Sequence, residues 1–185
     1  LGIPANPDFN GSTQEGAGYY QLTTRHGFRC STATAYLRPA RRRPNLRIET
    51  GAQATRIEFE ARRAVAVVYR RESRDITATA RREVIVAAGA LQSPQLLQLS
   101  GVGPAALLQQ YGIPVVHDAP GVGANLQDHL QLRMAFKLRN VLTLNTMANS
   151  LWGKAKMALE YALFRTGPLT MAPSQRGAFA KSGPG

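Results

Sequence analysis

The chain has 185 residues, of which 44% are hydrophobic and 18% charged, a balance typical of folded globular proteins and not of disordered ones. No apolar run approaches the roughly 20 residues that cross a bilayer, which excludes a membrane-spanning helix. The formal charge of +12 raises the question of nucleic-acid binding, because Lys and Arg residues that neutralise phosphates release counterions.

The positive charge comes mainly from arginines in short clusters along the chain. These clusters stand where turns or strand ends are predicted, and no DNA- or RNA-binding motif accompanies them. They are Arg41-Arg42-Arg43, Arg62-Arg63, Arg70-Arg71 and Arg81-Arg82. We therefore predict solvated surface charge and no nucleic-acid partner, and a basic nucleic-acid-binding module stays as an alternative.

The termini and the single cysteine give weak indications of whether the chain is a piece of a longer protein and of its cellular compartment. The chain starts at Leu1 without a charged and apolar leader and ends on a Gly- and Pro-containing run, so we expect both ends to be cut. Cys30 cannot form an internal disulfide and offers no metal cluster. We expect Cys30 to fill a small core space in a cytoplasmic protein, with association to a membrane left open.

The first half of the chain predicts loops, a short helix and then strands. Residues 1–29 are rich in Gly, Pro, Asn and Ser, which predicts turns and loops. Residues 31–37 predict a helix that Pro39 stops, because its nitrogen carries no proton. Short polar turns separate segments in which apolar and polar residues alternate, at 46–50, 55–60, 65–69 and 76–80. These segments predict an antiparallel meander.

An unbroken apolar run at 84–88 follows the meander. Such a run predicts a strand covered on both faces, as in a parallel sheet, and Gly89 ends it. Ser93 then predicts a helix N-cap with Pro94 at the first helical position, for a helix that continues through Leu99.

Two further helices and a strand are predicted beyond that point. Residues 104–111 predict a short helix stopped by Gly112, and 113–116 a short strand. Residues 147–164 carry apolar side chains on one helical face. A basic amphipathic helix can lie on a membrane, but we predict that this face packs on the protein's own core. A second domain is expected to begin near Gln131.

Gly101 to Ala106 fit a loose dinucleotide-binding pattern, G-x-G-x-x-A. That pattern holds a pyrophosphate when a strand delivers the glycines to a helix N-terminus. Here a predicted helix precedes the glycines, and no acidic residue stands at the end of a following strand. A nicotinamide-dependent dehydrogenase piece therefore stays only as an alternative.

Residues 89–103 agree with a longer motif at every defined position, from Gly89-Ala90 through Ser93-Pro94 to Ser100-Gly101-Val102-Gly103. Three further blocks agree in the same order. They are Gly27 to Ala33 with Tyr36-Leu37-Arg38-Pro39, Asn45 to Ala54, and Gly121 to His129. Together they resemble the glucose–methanol–choline (GMC) family of oxidoreductases, and choline-dehydrogenase-like and primary-alcohol dehydrogenases above all. The resemblance covers nearly the whole chain from about Asp8.

The resemblance implies an α/β fold with α+β elements. Residues 1–130 would be a partial, Rossmann-like FAD-binding domain with an antiparallel meander, and 131–185 the start of a substrate-binding domain. It also implies hydride transfer from the CH–OH group of an alcohol to FAD, with oxygen or a quinone as the electron acceptor. The glycine loop that mainly holds FAD in this family and its C-terminal catalytic histidine are both absent from this chain, so we expect the isolated chain to be inactive and to bind FAD weakly.

Three residues are predicted to lie beside the cofactor. By the resemblance, Ala54 aligns with a position whose backbone meets the adenine. Ala88 and Gly89 end the predicted buried strand, where small residues let a flat ligand approach the edge of a sheet. The alternative for Gly89 is that it only closes a tight turn between strand and helix.

The three histidines are interpreted as structural. His26 lies in a predicted loop, His117 ends a predicted strand, and His129 follows Asp128, which could orient its ring or cap a turn. They are not at metal-ligand spacing, and no nucleophile–base pair is apparent. We therefore predict no catalytic and no metal-binding residue in this chain.

Overall fold

The computed structural model describes residues 2–132, 134–171, 174–181 and 183. In chain order, its elements are β1 (Gly16–Tyr19), β2 (Thr24–Arg25), β3 (Phe28–Arg29), a π-helical turn (Ala33–Leu37), α1 (Arg38–Ala40), β4 (Gln53–Glu60), β5 (Arg63–Arg71), β6 (Arg74–Thr79), α2 (Gly89–Leu99), β7 (Val102–Gly103), α3 (Ala105–Gln110), β8 (His117–Asp118), α4 (Leu144–Ala148), α5 (Leu151–Phe164), a 3₁₀ turn (Pro168–Thr170) and β9 (Arg176–Phe179). They form two compact units, one of Leu1–Arg47 with Ala135–Gly185 and one of Ile48–Met134.

The meander is the centre of the Ile48–Met134 unit. Strands β4, β5 and β6 pair in order and antiparallel, which confirms the predicted meander. Ile57 of β4 and Ala66 and Val68 of β5 are buried. Ile57 lies opposite Val67 and shares its face of the sheet, whereas Ala66 and Val68 lie on the other face. The register of β4 shifts between Ala54 and Arg56, and such a bulge bends a strand and re-aims its side chains.

Helix α2 packs on β4, and a buried serine joins the two elements. The hydroxyl of Ser100 donates to the carbonyl of Leu96 at 2.5 Å and accepts from the backbone N–H of Ile57 at 2.7 Å. Helix α3 follows after the two-residue strand β7, and Leu108 buries almost all of its surface. The predicted helix at 104–111 and its stop at Gly112 are confirmed, with Tyr111 as the C-cap and Gly112 at positive φ.

The predicted buried strand at 84–88 is wrong for this chain. The segment is extended but belongs to no strand, and the side chain of Ile85 is 80% exposed. A strand needs neighbours that accept and donate its backbone hydrogen bonds and that cover its faces. Among the described residues no strand lies beside it, and β7–β8 is the one parallel strand pair. The expectation of a parallel sheet therefore gains no support from the packing of this chain.

Helix α2 also begins five residues before the predicted first helical position, at Gly89 and not at Pro94. Its N-cap is Ala88, and Pro94 lies inside the helix. The Ser93 hydroxyl accepts a hydrogen bond from the Ala88 N–H at 3.1 Å. The prediction of Ser93 as the N-cap is therefore wrong, and its hydroxyl instead binds the N–H of the N-cap residue from within the helix.

Three smaller predictions are also wrong. Residues 46–50 and 113–116 form no strand. A short parallel pair forms nearby, between β7 and β8. The helix predicted to stop at Pro39 ends at Ala40. Pro39 sits in the first turn of α1, where a missing amide proton costs little.

The other unit contains pairing that local sequence patterns did not show. Residues 1–29 were predicted as loop, yet β1 pairs antiparallel with β9, and β2 with β3. The aromatic rings of Phe9, Tyr20 and Phe179 meet beside the first pair, with ring centroids 5.0–6.4 Å apart. These contacts join residues from opposite ends of the chain.

The single helix predicted at 147–164 is two helices, α4 and α5. The Ser150 hydroxyl accepts from the N–H of Gly153, which makes Ser150 the N-cap that separates them. Within the part of the chain that the structure describes, α5 buries Met157, whereas Trp152 is 86% exposed. The apolar face is therefore uncovered within the described residues, and its packing on the protein's own core stays a prediction. No helix of the described residues is long and apolar enough to cross a membrane.

Candidate functional site

Two of the three predicted cofactor residues line the same cleft of the Ile48–Met134 unit. The cleft has a volume of about 480 Å³, within the range of small-molecule sites. Ala54 belongs to β4, and Ala88 is the residue directly before α2. The full lining is Ala52, Gln53, Ala54, Ala88, Gln92, Gln95, Leu96 and Leu99.

Local structure explains why the cleft stays open. The bulge after Ala54 interrupts the regular register of β4, while the Ser100 bridge holds the far end of α2 against the same strand. Between these points the facing residues Ala54 and Ala88 carry only methyl side chains. Strand and helix therefore leave a gap that a flat group can enter.

Gly89, the third predicted residue, begins α2 with φ of +86°. This left-handed conformation is strained for residues with a Cβ, which supports the interpretation of Gly89 as a turn residue. A Cβ built on Gly89 would meet nothing within 4 Å. The space beside it is therefore open as well, and an approaching ligand is sterically compatible with this position.

The lining chemistry fits one part of a flavin dinucleotide. The side-chain amides of Gln53, Gln92 and Gln95 can donate and accept hydrogen bonds, and Leu96 and Leu99 offer apolar surface. These groups suit a neutral aromatic heterocycle such as adenine. No Lys or Arg lines the cleft, so its lining provides no cation for a pyrophosphate.

Sequence reasoning missed the contribution of α2 to the cleft. Gln92, Gln95, Leu96 and Leu99 stand at spacings of three, four and seven, so they share one face of a helix. The signal was present in the sequence, but the helix was predicted to start only at Ser93, and its partner strand could not be assigned.

The Gly101–Gly103 segment is not built as a nucleotide loop. Gly101 lies in the turn after α2, and Gly103 ends the two-residue strand β7, directly before Pro104 and α3. The first free N–H of α3, that of Ala105, donates to the carboxylate of Asp118 at 2.9 Å. A carboxylate already occupies the position that a phosphate would take at this helix N-terminus, which argues against the nicotinamide-dependent alternative.

All three histidines are exposed, and none lines the proposed cleft. His26 forms a hairpin turn with Gly27, both at positive φ, and His117 lies in β8. The N–H of His129 donates to the Asp128 carboxylate at 2.7 Å, so Asp128 binds the neighbouring backbone amide. Within residues 2–132, 134–171, 174–181 and 183, no three His, Cys, Asp or Glu side chains could hold a metal ion together.

Comparison with known proteins identifies the family. The sequence model of the GMC oxidoreductases matches residues 1–131. The chain belongs to the GMC oxidoreductase family. Similar proteins include the oxygen-dependent choline dehydrogenases of Burkholderia vietnamiensis and Burkholderia cenocepacia, at 49% and 50% identity over 167 residues and 90% of this chain.

Solved structures of GMC oxidoreductases have the same fold. An FAD-dependent oxidoreductase from Chaetomium thermophilum superposes with a TM-score of 0.80 at 28% identity, over 94% of this chain and 31% of that one. A fungal aryl-alcohol oxidase gives 0.78 at 28% identity, over 95% and 31%. The predicted family and α/β class are confirmed, and this membership implies FAD as the cofactor. The chain spans 29% of the length of the curated relatives it matches.

Proposed function

We propose that this chain forms part of an FAD-dependent oxidoreductase that oxidises the CH–OH group of an alcohol by hydride transfer to the flavin. Choline and other primary alcohols are the substrate class, and oxygen or a quinone is the electron acceptor. The observation that carries this proposal is the meeting of Ala54 and Ala88, predicted separately, in one open cleft of a chain from this family.

The chain's own role in this proposal is to bind and orient the cofactor. Ala54, Ala88 and Gly89 would let it approach the backbone, and the glutamine amides of the cleft would bond its polar edge. The flavin, when bound, supplies the hydride acceptor. The residue that takes the alcohol proton would lie outside this chain, as would the glycine loop for the pyrophosphate.

The same proposal includes the domain division and the location. Residues 1–130 would belong to the FAD-binding domain and 131–185 to the start of the substrate-binding domain. The single cysteine supports a cytoplasmic location, and association with a membrane surface would depend on the complete enzyme.

A nucleic-acid module is the weaker candidate. Two arginines of β5 form ion pairs, Arg70 with Asp75 of β6 and Arg71 with Glu49, which precedes β4. Arginines paired in this way are less available to bind phosphates.

Filling the cleft tests the proposal in the full-length enzyme. We expect Ala54→Phe and Ala88→Phe to lower the bound flavin at least about tenfold, because a ring in the cleft excludes the ligand at a cost above roughly 1.4 kcal/mol. Flavin content per protein is measured by visible absorbance after purification. The control is Ala78→Phe, at an exposed alanine of β6 outside the cleft. Full flavin content in both cleft variants would contradict the proposed site.

A further inference from the structure

The side chain of Gln98 connects α2 to the loop at 121–128. Its Nε2 donates a hydrogen bond to the backbone carbonyl of Val122 at 2.9 Å. Gln98 is half-buried, and this bond joins two segments that the sequence analysis singled out separately, the motif at 89–103 and the block at 121–129. The proposed function gives the second block no role.

Two glycines provide the space that Gln98 occupies. A Cβ on Gly103 would lie 2.9 Å from Cγ of Gln98, and a Cβ on Gly123 would lie 2.7 Å from its Nε2. Both distances are shorter than real contacts of Cβ atoms. Gly123 also has φ of +83°, whereas Gly103 has no such requirement. Room for Gln98 is therefore the reason that the structure offers for glycine at 103.

The tethered loop forms one wall of a second cleft, of about 250 Å³. Ala90 and Leu91, which directly follow Gly89, line its other side, and Gly123 and Leu126 line the loop side. Gln95 lines this cleft as well as the proposed flavin cleft. The two clefts therefore share a wall on α2.

We propose that Gln98 is a positioning residue that holds the loop at 121–128 against α2 and thereby shapes the protein wall beside the flavin. The steric part of this inference stands on the glycines and the hydrogen bond alone. The effect on the flavin rests on the proposed function.

A double-mutant cycle in the full chain tests the steric part. Gly103→Ala lowers Tm because the new methyl group meets Gln98, and the added Gln98→Ala substitution removes that contact. We therefore expect Gly103→Ala to lower Tm clearly less in the Gln98→Ala background than in the wild type. The control is Gly121→Ala, where a Cβ would meet nothing within 4 Å and φ is not positive. An equal loss of Tm in both backgrounds would overturn the proposed packing.

Gln98→Met tests the positioning role, because it keeps the length of the side chain and removes the donor. In hydrogen exchange, we expect the protection factors of the amides of 121–128 to fall about threefold to tenfold. That factor corresponds to the net free energy of one hydrogen bond, and we expect Tm to change little. In the FAD-loaded full-length enzyme, we expect the dissociation constant for FAD to rise by a similar factor. Gln109→Met, at an exposed glutamine of α3, is the matched control.

The two readouts separate this inference from the proposed function. Loss of loop protection together with weaker FAD binding supports the positioning role. Loss of protection with unchanged FAD affinity overturns it and leaves Gln98 as a purely structural residue. If the wild-type enzyme binds no FAD, the proposed function fails, while the cycle and the exchange measurement still decide whether Gln98 holds the loop.

Discussion

At the scale of single residues, the Arg70–Asp75 pair shows how the meander uses its charges. The Asp75 carboxylate, on β6, accepts from Nε of Arg70 at 2.8 Å and from its Nη2 at 3.2 Å. Hydrogen bonding to Arg70 is the main reason that the pKa of Asp75 lies below its usual value, with smaller contributions from the charges of Arg70 and Arg56 and an opposing one from desolvation. Both side chains are exposed, so the pair is screened by solvent and salt.

The lowered pKa predicts a small acid dependence of stability. A group whose pKa is lower in the folded state stabilises the fold above its unfolded pKa, about 3.9 for Asp, and loses that effect as the pH falls through the folded value. We therefore expect Asp75→Asn to lower Tm slightly at neutral pH, with the difference from wild type shrinking below about pH 4. Thermal unfolding at several pH values measures it. Glu72→Gln, at an exposed carboxylate 4.0 Å from Arg71, should show less effect. A difference that grows on acidification would refute this assignment.

At the scale of elements, Ser100 joins the end of α2 to β4. The Ser100→Ala variant leaves the N–H of the buried residue Ile57 without its acceptor. We expect a loss of about 1–3 kcal/mol in the free energy of unfolding, the cost of an unsatisfied buried donor. Because this bond holds α2 against β4, and both elements line the proposed flavin cleft, flavin content of the full-length enzyme should fall as well.

Urea unfolding of the chain measures the loss, with Ser12→Ala at an exposed loop position as the control. An unchanged midpoint for Ser100→Ala would mean that the N–H of Ile57 finds another acceptor and that the bridge does not hold helix and strand together.

Elements differ in how far the sequence predicted them, and the reason is the range of the interactions that form them. The meander was predicted because its alternation and its turns are local, and the helix at 104–111 because Pro104 and Gly112 delimit it. The pairing of β1 with β9 joins residues from opposite ends of the chain, and no local pattern indicates it. The break at Ser150 was missed because apolar spacing continues across it, although Ser is a preferred N-cap.

The candidate site was also predicted only in part from the sequence, and again the range of the interactions explains which part. The structure brings Ala54 and Ala88 to one cleft, and their contact with a cofactor stays a prediction. The argument for Ala88 assumed a buried strand at 84–88 that this chain does not form. An apolar run indicates a need for cover and does not show what provides it. The glutamines of α2 and the contacts of Gln98 with Gly103 and Gly123 depend on tertiary packing, which spacing alone does not reveal.

At the scale of the whole molecule, many large apolar side chains of the described residues are exposed, and large exposed apolar patches mark surfaces that bind other protein. The side chain of Ile85 is open, and so is the α5 face of Leu151, Trp152, Leu159 and Leu163. Between the two in sequence, Leu130, Leu132, Met134, Phe136 and Leu138 recur at every second position and are all exposed. The residues between them are polar except for Ala135. Period-two alternation is typical of a strand with one covered face, so this segment has the pattern of a strand without a partner among the described residues.

These surfaces predict that the isolated chain binds hydrophobic dyes and associates with itself. The relatives are about three times as long as this chain, which spans 29% of their length. In the full-length enzyme that we propose, we expect further residues to cover these surfaces. Fluorescence of the dye ANS, measured per mole, should therefore be strong for the chain and weak for the full-length enzyme. In the chain, Leu159→Ser with Leu163→Ser should reduce the signal by removing part of the α5 face, whereas Tyr36→Ser, at a separate exposed aromatic residue, should change it little. Equal dye binding by chain and enzyme would mean that the apolar surfaces stay open in the complete protein and serve a partner instead.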